Sequence, residues 1–152
     1  MLITGVICTY NRRELLENQI RAIEAMTLSD SEDFEVIYVD NNSSDGTAEE
    51  LARLCEDRPR FRFFEETEQG SSAARNRGAQ EALGEYIWYL DDDSLTERTA
   101  LQAYMTALPV WEPDIATGEI TPRADTRIPW WFDIKAKQFD AYLARANFGG
   151  ET

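Results

Sequence analysis

Three consecutive acids, Asp91, Asp92 and Asp93, are the residues whose type and spacing speak most directly of chemistry. They follow Tyr86-Ile-Trp-Tyr-Leu90, a strand-forming run behind Gly84, so a buried strand is expected to deliver carboxylates to one edge of a sheet. In extended backbone successive side chains alternate, which sends Asp91 and Asp93 one way and Asp92 the other. Two converging carboxylates suit a hard divalent cation, Mg2+ or Mn2+, above all one that also holds the phosphates of a ligand. The same residues have a plainer use. Ser94-Leu-Thr-Glu97 has the form of a capping box, and acids ahead of a helix favour its positive end without any metal.

Composition narrows the alternatives. At 152 residues, with 43% hydrophobic side chains, the chain has the size and apolar content of one ordered domain. Its 15 basic and 29 acidic side chains give a formal charge of −14, which repels nucleic acid and anionic membrane surfaces. An anionic ligand must then be held locally, by a metal, a few arginines or backbone N–H groups. There is no histidine, so Ser-His-Asp and Cys-His nucleophile systems and histidine-ligated zinc are excluded, leaving carboxylates as acid, base and metal ligands. No Gly-x-Ser-x-Gly elbow or Walker P-loop occurs. Cys8 and Cys55, in segments expected to be buried, point to reduced thiols in a cytosolic compartment. No stretch has the length of a membrane span or the basic flank of a signal peptide; the expected location is cytoplasmic, or the cytoplasmic face of a membrane reached through something outside the chain.

The elements that must position the acids follow from periodicity. Leu2 to Thr9 reads as a strand covered on both faces, and Asn11 as the cap of a helix with Leu16, Ile20 and Ile23 at helical spacing to about Met26. Thr27 to Asp33 is a polar loop, Phe34 to Asp40 a second strand, and Asn41 to Gly46 a dense turn ahead of a helix carrying Leu51, Leu54 and Cys55. Phe61 to Phe64 is a short strand, Ser72 to Leu83 a helix, and the strand before the acids comes next. This alternation predicts an α/β fold with a mainly parallel, Rossmann-like sheet flanked by helices. Ligands in such sheets bind outside the carboxyl ends of the strands, where Thr9-Tyr10-Asn11-Arg12, Asp40-Asn41-Asn42-Ser43 and the three acids would share one crevice. Singly, each cluster is also what caps and turns use.

The sequence resembles the family 2 glycosyltransferases with a GT-A fold. The resemblance is carried by Val6-Ile-Cys-Thr-Tyr-Asn-Arg12, Val39-Asp-Asn-Asn-Ser-Ser-Asp-Gly-Thr47, Gly70-Ser-Ser-Ala-Ala-Arg-Asn-Arg-Gly78 and Leu90-Asp-Asp-Asp93, in the family's order and spacing. It implies a nucleotide-diphospho-sugar donor, transfer with inversion to a carbohydrate, lipid-linked or protein acceptor, and Mn2+ or Mg2+ as cofactor. Carried over by position, Thr9, Tyr10 and Asn11 would line the nucleoside pocket and Asp40 with Asn41 would contact base or ribose. Arg75 would lie near the diphosphate, Asp91 near ribose or metal, Asp93 on the metal, with Asp92 among the nucleotide-binding set. The family often has a second acid where Asn41 stands, which leaves uridine and thymidine diphosphate sugars both open.

Beyond the acids the match thins. Leu95 to Leu108 reads as a helix stopped by Pro109, Ile115 to Ile120 as a strand, and Pro129-Trp-Trp-Phe132 as the start of an aromatic, helical acceptor-side segment. Residues 1–121 are thus expected to form the nucleotide-sugar-binding region and 122–152 the start of an acceptor-side region cut short. Trp130 and Trp131 would stack on a sugar, pack in the core or, with Phe132, favour self-association. The family's catalytic base is an acid commonly within a Glu-Asp pair; none follows Asp93, and Asp133 and Asp140 are acids in the right direction only. The alternative function is a module that binds nucleotide sugar and metal without transfer.

Overall fold

The computed structural model describes residues 1–26, 34–94 and 96–118. The chain divides into two compact units, Met1–Trp111 and Glu112–Thr152, and the described helices and strands all belong to the first. Its elements run β1 (Ile3–Thr9), α1 (Arg13–Glu24), β2 (Phe34–Asp40), α2 (Thr47–Cys55), β3 (Phe61–Glu65), α3 (Ser71–Glu81), β4 (Tyr86–Asp91) and α4 (Ala100–Trp111).

The four strands form a parallel sheet in the order β3-β2-β1-β4. The register sets Thr9 opposite Asp40, Cys8 opposite Asp91 and Asp40 opposite Glu65, so the polar strand ends lie along one edge. The chain moves outward from β1 to β3 and then returns to the other side of β1. The reversal between β1 and β4 is where an open α/β sheet leaves a crevice.

Side-chain alternation along β2 divides the core in two. Phe34, Val36 and Tyr38 face α1, α2 and α4 with Ile3, Ile7, Leu16 and Leu51, whereas Ile37 and Val39 face α3. Leu16, Ile20 and Ile23 bury the inner stripe of α1, each burial contributing roughly 2 kcal/mol. α3 buries only Ala74 and Gly78, and these small residues let it lie close on β1 and β2. A Cβ on Gly78 would meet Val6 Cγ1 at 2.3 Å. At the far end of the strands the buried Glu35 accepts from the Thr4 hydroxyl and the Leu83 amide, each at 2.8 Å, and pairs with Arg62 at 3.1 Å.

Several local expectations give way to the fold. β4 is buried on one face only: Tyr86, Trp88 and Leu90 pack into the larger core while Ile87, Tyr89 and Asp91 are exposed, because α3 covers β1 and β2 and leaves this edge strand bare. Asn11 does not cap α1. It takes a left-handed φ of 52°, and the amides at the entry to α1 bond to the neighbouring loop, Arg12 N–H to the Thr47 hydroxyl and Arg13 N–H to Asp45, each at 3.2 Å. α4 starts at Ala100, and the capping-box residues Ser94 and Glu97 lie ahead of it. Ser94 N–H closes a turn on the Asp91 carbonyl at 3.1 Å, and the Thr99 carbonyl takes a first-turn bond of α4, from Ala103. Pro109 lies inside α4 and does not end it at Leu108: buried Leu108 holds the last turn on the sheet, and only the Pro109 N–H bond is forgone. Residues 115–118 have no strand structure; Ile120, Trp130 to Phe132, Asp133 and Asp140 lie outside the described residues.

Candidate functional site

Four loops meet at the carboxyl edge of the sheet, and the first two are interlocked. Asn11 N–H donates to the Ser43 hydroxyl and Ser44 N–H to Asn11 Oδ1, both at 2.8 Å. Asp45 accepts from the Thr47 amide at 3.0 Å and from its hydroxyl, which with Arg13 N–H holds the Asp45 carboxyl below its ordinary range. Asn11 and Asn42 sit at φ 52° and 62°, a conformation asparagine tolerates better than most residues. Tyr10 is left exposed beside this junction.

Asp40, at the end of β2, is 1% exposed. Its Oδ2 accepts from Ser43 N–H at 3.1 Å, whereas Oδ1 is buried with no partner. A buried carboxylate oxygen left without a donor is costly, and a ligand hydroxyl or N–H would relieve it. Asn41 is 5% exposed and spends its amide on the β3–α3 loop: Nδ2 donates to the carbonyls of Glu66 at 3.1 Å and Glu68 at 2.7 Å, and Oδ1 accepts from Gly70 N–H at 2.8 Å.

The acidic turn is held from below. β4 ends at Asp91, so strand alternation does not reach Asp93; Asp92 is instead turned inward by the buried Thr9 hydroxyl, which donates to it at 2.9 Å. Asp91 and Asp93 are exposed. Arg75, on α3, approaches Asp91 at 3.6 Å, with side-chain exposures of 45% and 69%. So loose and exposed a pair contributes little stability and leaves the guanidinium available to another anion. Arg77 differs: it lies over Phe64 at 5.4 Å and bonds Glu81 at 2.9 Å.

One residue that positions this edge escaped the reading of the sequence. Gln19, 4% exposed on the inner face of α1, donates to the Asp91 carbonyl at 2.8 Å and accepts from the buried Tyr38 hydroxyl at 3.1 Å. The signal available was an amide three residues after Leu16, in phase with the apolar stripe. Burial pushes the thiol of Cys8, opposite Asp91 in the sheet, up to about 11, Arg75 opposing and Asp91 and Asp92 adding to the shift. Cys8 and Cys55 are both free thiols.

Among the described residues no three acids or cysteines gather into a metal cage. The exposed carboxylates of Asp91 and Asp93 nonetheless have the oxygen chemistry that Mg2+ or Mn2+ takes; the ion's remaining ligands would have to come from outside the described residues. Two cavities lie elsewhere: about 500 Å³ along α4, lined without a charged side chain, and about 350 Å³ at the opposite edge between Phe34, Arg58 and Phe61. Neither touches the polar edge, where the orphaned Asp40 oxygen, Arg75 and the exposed Asp91 and Asp93 lie. Among the described residues no helix is long and apolar enough to cross a membrane.

Comparison with known proteins bears on the family and the fold. A GalNAc(5)-diNAcBac-PP-undecaprenol beta-1,3-glucosyltransferase of Campylobacter jejuni is 35% identical over 102 residues, which is 66% of this chain and 32% of that protein. A cholesterol galactosyltransferase of Borreliella burgdorferi is 33% identical over 100 residues, 66% of this chain and 27% of the relative. The chain thus spans about a third or less of the length of these relatives. Among solved structures, a mannosyltransferase from Pyrobaculum calidifontis in complex with GDP-Man and Mn2+ superposes with a TM-score of 0.64 at 31% identity, over 70% of this chain and 32% of that one. S. aureus TarS in complex with UDP-GlcNAc superposes with a TM-score of 0.66 at 20% identity, over 81% of this chain and 37% of that one, a likeness of fold alone. The sheet and its flanking helices are of the GT-A type that these glycosyltransferases share. With the profile of glycosyl transferase family 2 matching residues 4–151, the chain belongs to that family.

Proposed function

We propose that this chain forms the nucleotide-diphospho-sugar-binding part of a glycosyltransferase that moves a sugar to an acceptor hydroxyl with inversion. The observation that carries this reading is the convergence, at one sheet edge, of the orphaned Asp40 oxygen, the loosely held Arg75 and the outward Asp91 and Asp93. Asp40 Oδ1 accepts from the base or ribose, and Tyr10 lies against the nucleoside. Thr9, Asn11, Asn41 and Asp92, already bonded to their neighbours, shape the pocket. Arg75 turns from Asp91 to the diphosphate, which its always-charged guanidinium grips at two points. Asp91 and Asp93 hold Mn2+ or Mg2+, which when bound supplies Lewis-acid stabilisation of the charge growing on the departing diphosphate. The presence of GDP-Man and Mn2+ in the Pyrobaculum relative supports this donor class and metal. Relatives whose names include an undecaprenol-linked or a cholesterol substrate support a lipid-linked acceptor, reached at the cytoplasmic face of a membrane. Deprotonation of that hydroxyl needs a base; Asp133 and Asp140 are the acids to mutate first, and the Trp130 to Phe132 segment the first to test for self-association.

The test is a titration of uridine, thymidine and guanosine diphosphate sugars with and without Mn2+, together with product detection over lipid-linked and soluble acceptors. Mn2+ is expected to tighten donor binding at least about tenfold, and Asp93→Ala to abolish that gain with an unchanged melting curve. Equal affinity without metal would overturn the metal assignment. Failure to bind any nucleotide diphosphate would overturn the whole reading, and tight binding without transfer would leave a nucleotide-sugar-binding module.

A further inference from the structure

The side chain of Asn41 stands at the centre of the donor edge, yet its amide faces protein. Both donors go to main-chain carbonyls, of Glu66 and Glu68, and the carbonyl oxygen accepts from Gly70 N–H. The Asn41 main chain is engaged as well: its N–H donates to the Thr9 carbonyl at 2.9 Å and its carbonyl accepts from Gln69 Nε2 at 3.1 Å. An amide has two N–H donors and one carbonyl oxygen, so little of its capacity is left for a ligand. What it grips is the whole connection from β3 to α3. Gly70 takes a φ of 145°, a conformation side chains rarely adopt, and its carbonyl receives the first bond of α3, from Ala74 N–H at 3.1 Å. Arg75 follows one residue later. Asn41 is thus two hydrogen bonds from the start of the helix that carries the arginine facing Asp91.

We infer that Asn41 is a positioning residue: it fixes the loop of residues 66–70, and through it the start of α3 and the placement of Arg75, and it does not read the nucleoside base. The inference rests on reading this edge as the donor site. The grip on the loop needs an amide and would fail with the acid often found at this position in the family. An aspartate has no N–H to offer Glu66 and Glu68 and would set a negative oxygen against two carbonyls. Serine has one donor, and glutamine is a methylene too long for so enclosed a place.

The experiment compares Asn41→Ala and Asn41→Asp with the parent chain by amide hydrogen exchange at Gly70, melting temperature against pH, and affinity for uridine, thymidine and guanosine diphosphates. In Asn41→Ala the Gly70 amide loses its acceptor, and its exchange is expected to quicken by about ten- to a hundredfold. All three nucleotides should weaken by one common factor, so that their ranking is kept. In Asn41→Asp the melting deficit should shrink as pH falls from about 8 to about 5, because a protonated carboxyl regains one donor and loses the repelling charge. A changed nucleotide ranking with unchanged Gly70 exchange would overturn the inference, as would an aspartate variant whose deficit does not depend on pH. Should the parent chain bind no nucleotide, the donor-site reading fails by itself, and the exchange and melting arms still decide whether Asn41 holds the loop.

Discussion

The Thr9 hydroxyl donates to the Asp92 carboxylate at 2.9 Å, joining the last residue of β1 to the middle acid of the turn after β4. Thr9 is buried and its hydroxyl is committed to this one acceptor, so Asp92 is drawn down while Asp91 and Asp93 stay in solvent. A bond to a charged acceptor is worth about 1.5–3 kcal/mol, more than the neutral bonds around it. Thr9→Val keeps the β-branched shape and removes only the donor. It is expected to cost about 2 kcal/mol in urea denaturation and to weaken the Mn2+-dependent part of nucleotide binding. A valine variant with parental stability and metal response would mean that Asp92 is oriented by something else.

A second support acts through main chain. Gln19 links the buried Tyr38 hydroxyl to the Asp91 carbonyl, so replacing it strands two polar groups at once. Gln19→Leu should therefore cost about 2–3 kcal/mol, and Tyr38→Phe about 1 kcal/mol. Together the two are expected to cost about 1 kcal/mol less than their sum, because phenylalanine removes the hydroxyl that leucine orphans. Additive losses in chemical denaturation would argue against the linkage.

Strands and helices were legible where one periodicity ran uninterrupted. Phe34–Asp40 has the same bounds in the sequence reading and in the structure, and the inner stripe of α1 falls on Leu16, Ile20 and Ile23 as spaced. Legibility failed where a side chain's partner is remote in sequence. Asn11 looks like a cap because caps use asparagine, but the amides of Arg13 and Arg12 at the entry to α1 find Asp45 and Thr47, more than thirty residues away. The resemblance set Asn41 beside base or ribose, and its three side-chain bonds to the loop of residues 66–70 could be read only once β2 and β3 were paired. Gln19 was passed over for the same reason, its partners lying on β2 and β4.

Gly78 tests how closely α3 must approach the sheet. An added Cβ would come within 2.3 Å of Val6 Cγ1 and 3.4 Å of Val39 Cγ2, both in the sheet beneath. The gain in helix propensity from Gly to Ala, about 1 kcal/mol, is smaller than the overpacking penalty once the helix is forced outward. Gly78→Ala is expected to lose about 2 kcal/mol net and to move Arg75 away from Asp91, weakening diphosphate binding. A more stable alanine variant would show that α3 has slack against β1.

The last prediction concerns alkaline solution. Burial raises the thiols of Cys8 and Cys55 from an ordinary 9.0 to about 11, with Arg75 partly opposing the shift at Cys8 and Arg58 at Cys55. Burial also raises the Tyr38 hydroxyl beyond the usual phenol range. A raised thiol pKa means that the folded chain keeps a proton that the unfolded chain releases. Below 9 both states are protonated and these groups leave stability independent of pH. Between 9.0 and about 11 only the unfolded chain ionises, so stability falls as pH rises; above about 11 the thiols ionise in both states and add nothing further. Exposure of both cysteines reduces the size of the effect but not its sign. A Cys8→Ser, Cys55→Ser chain has no thiol to ionise, and its stability should decline less steeply across that window, leaving the part due to Tyr38. Parallel slopes for the two chains in denaturation curves taken at stepped pH would place the alkaline sensitivity elsewhere.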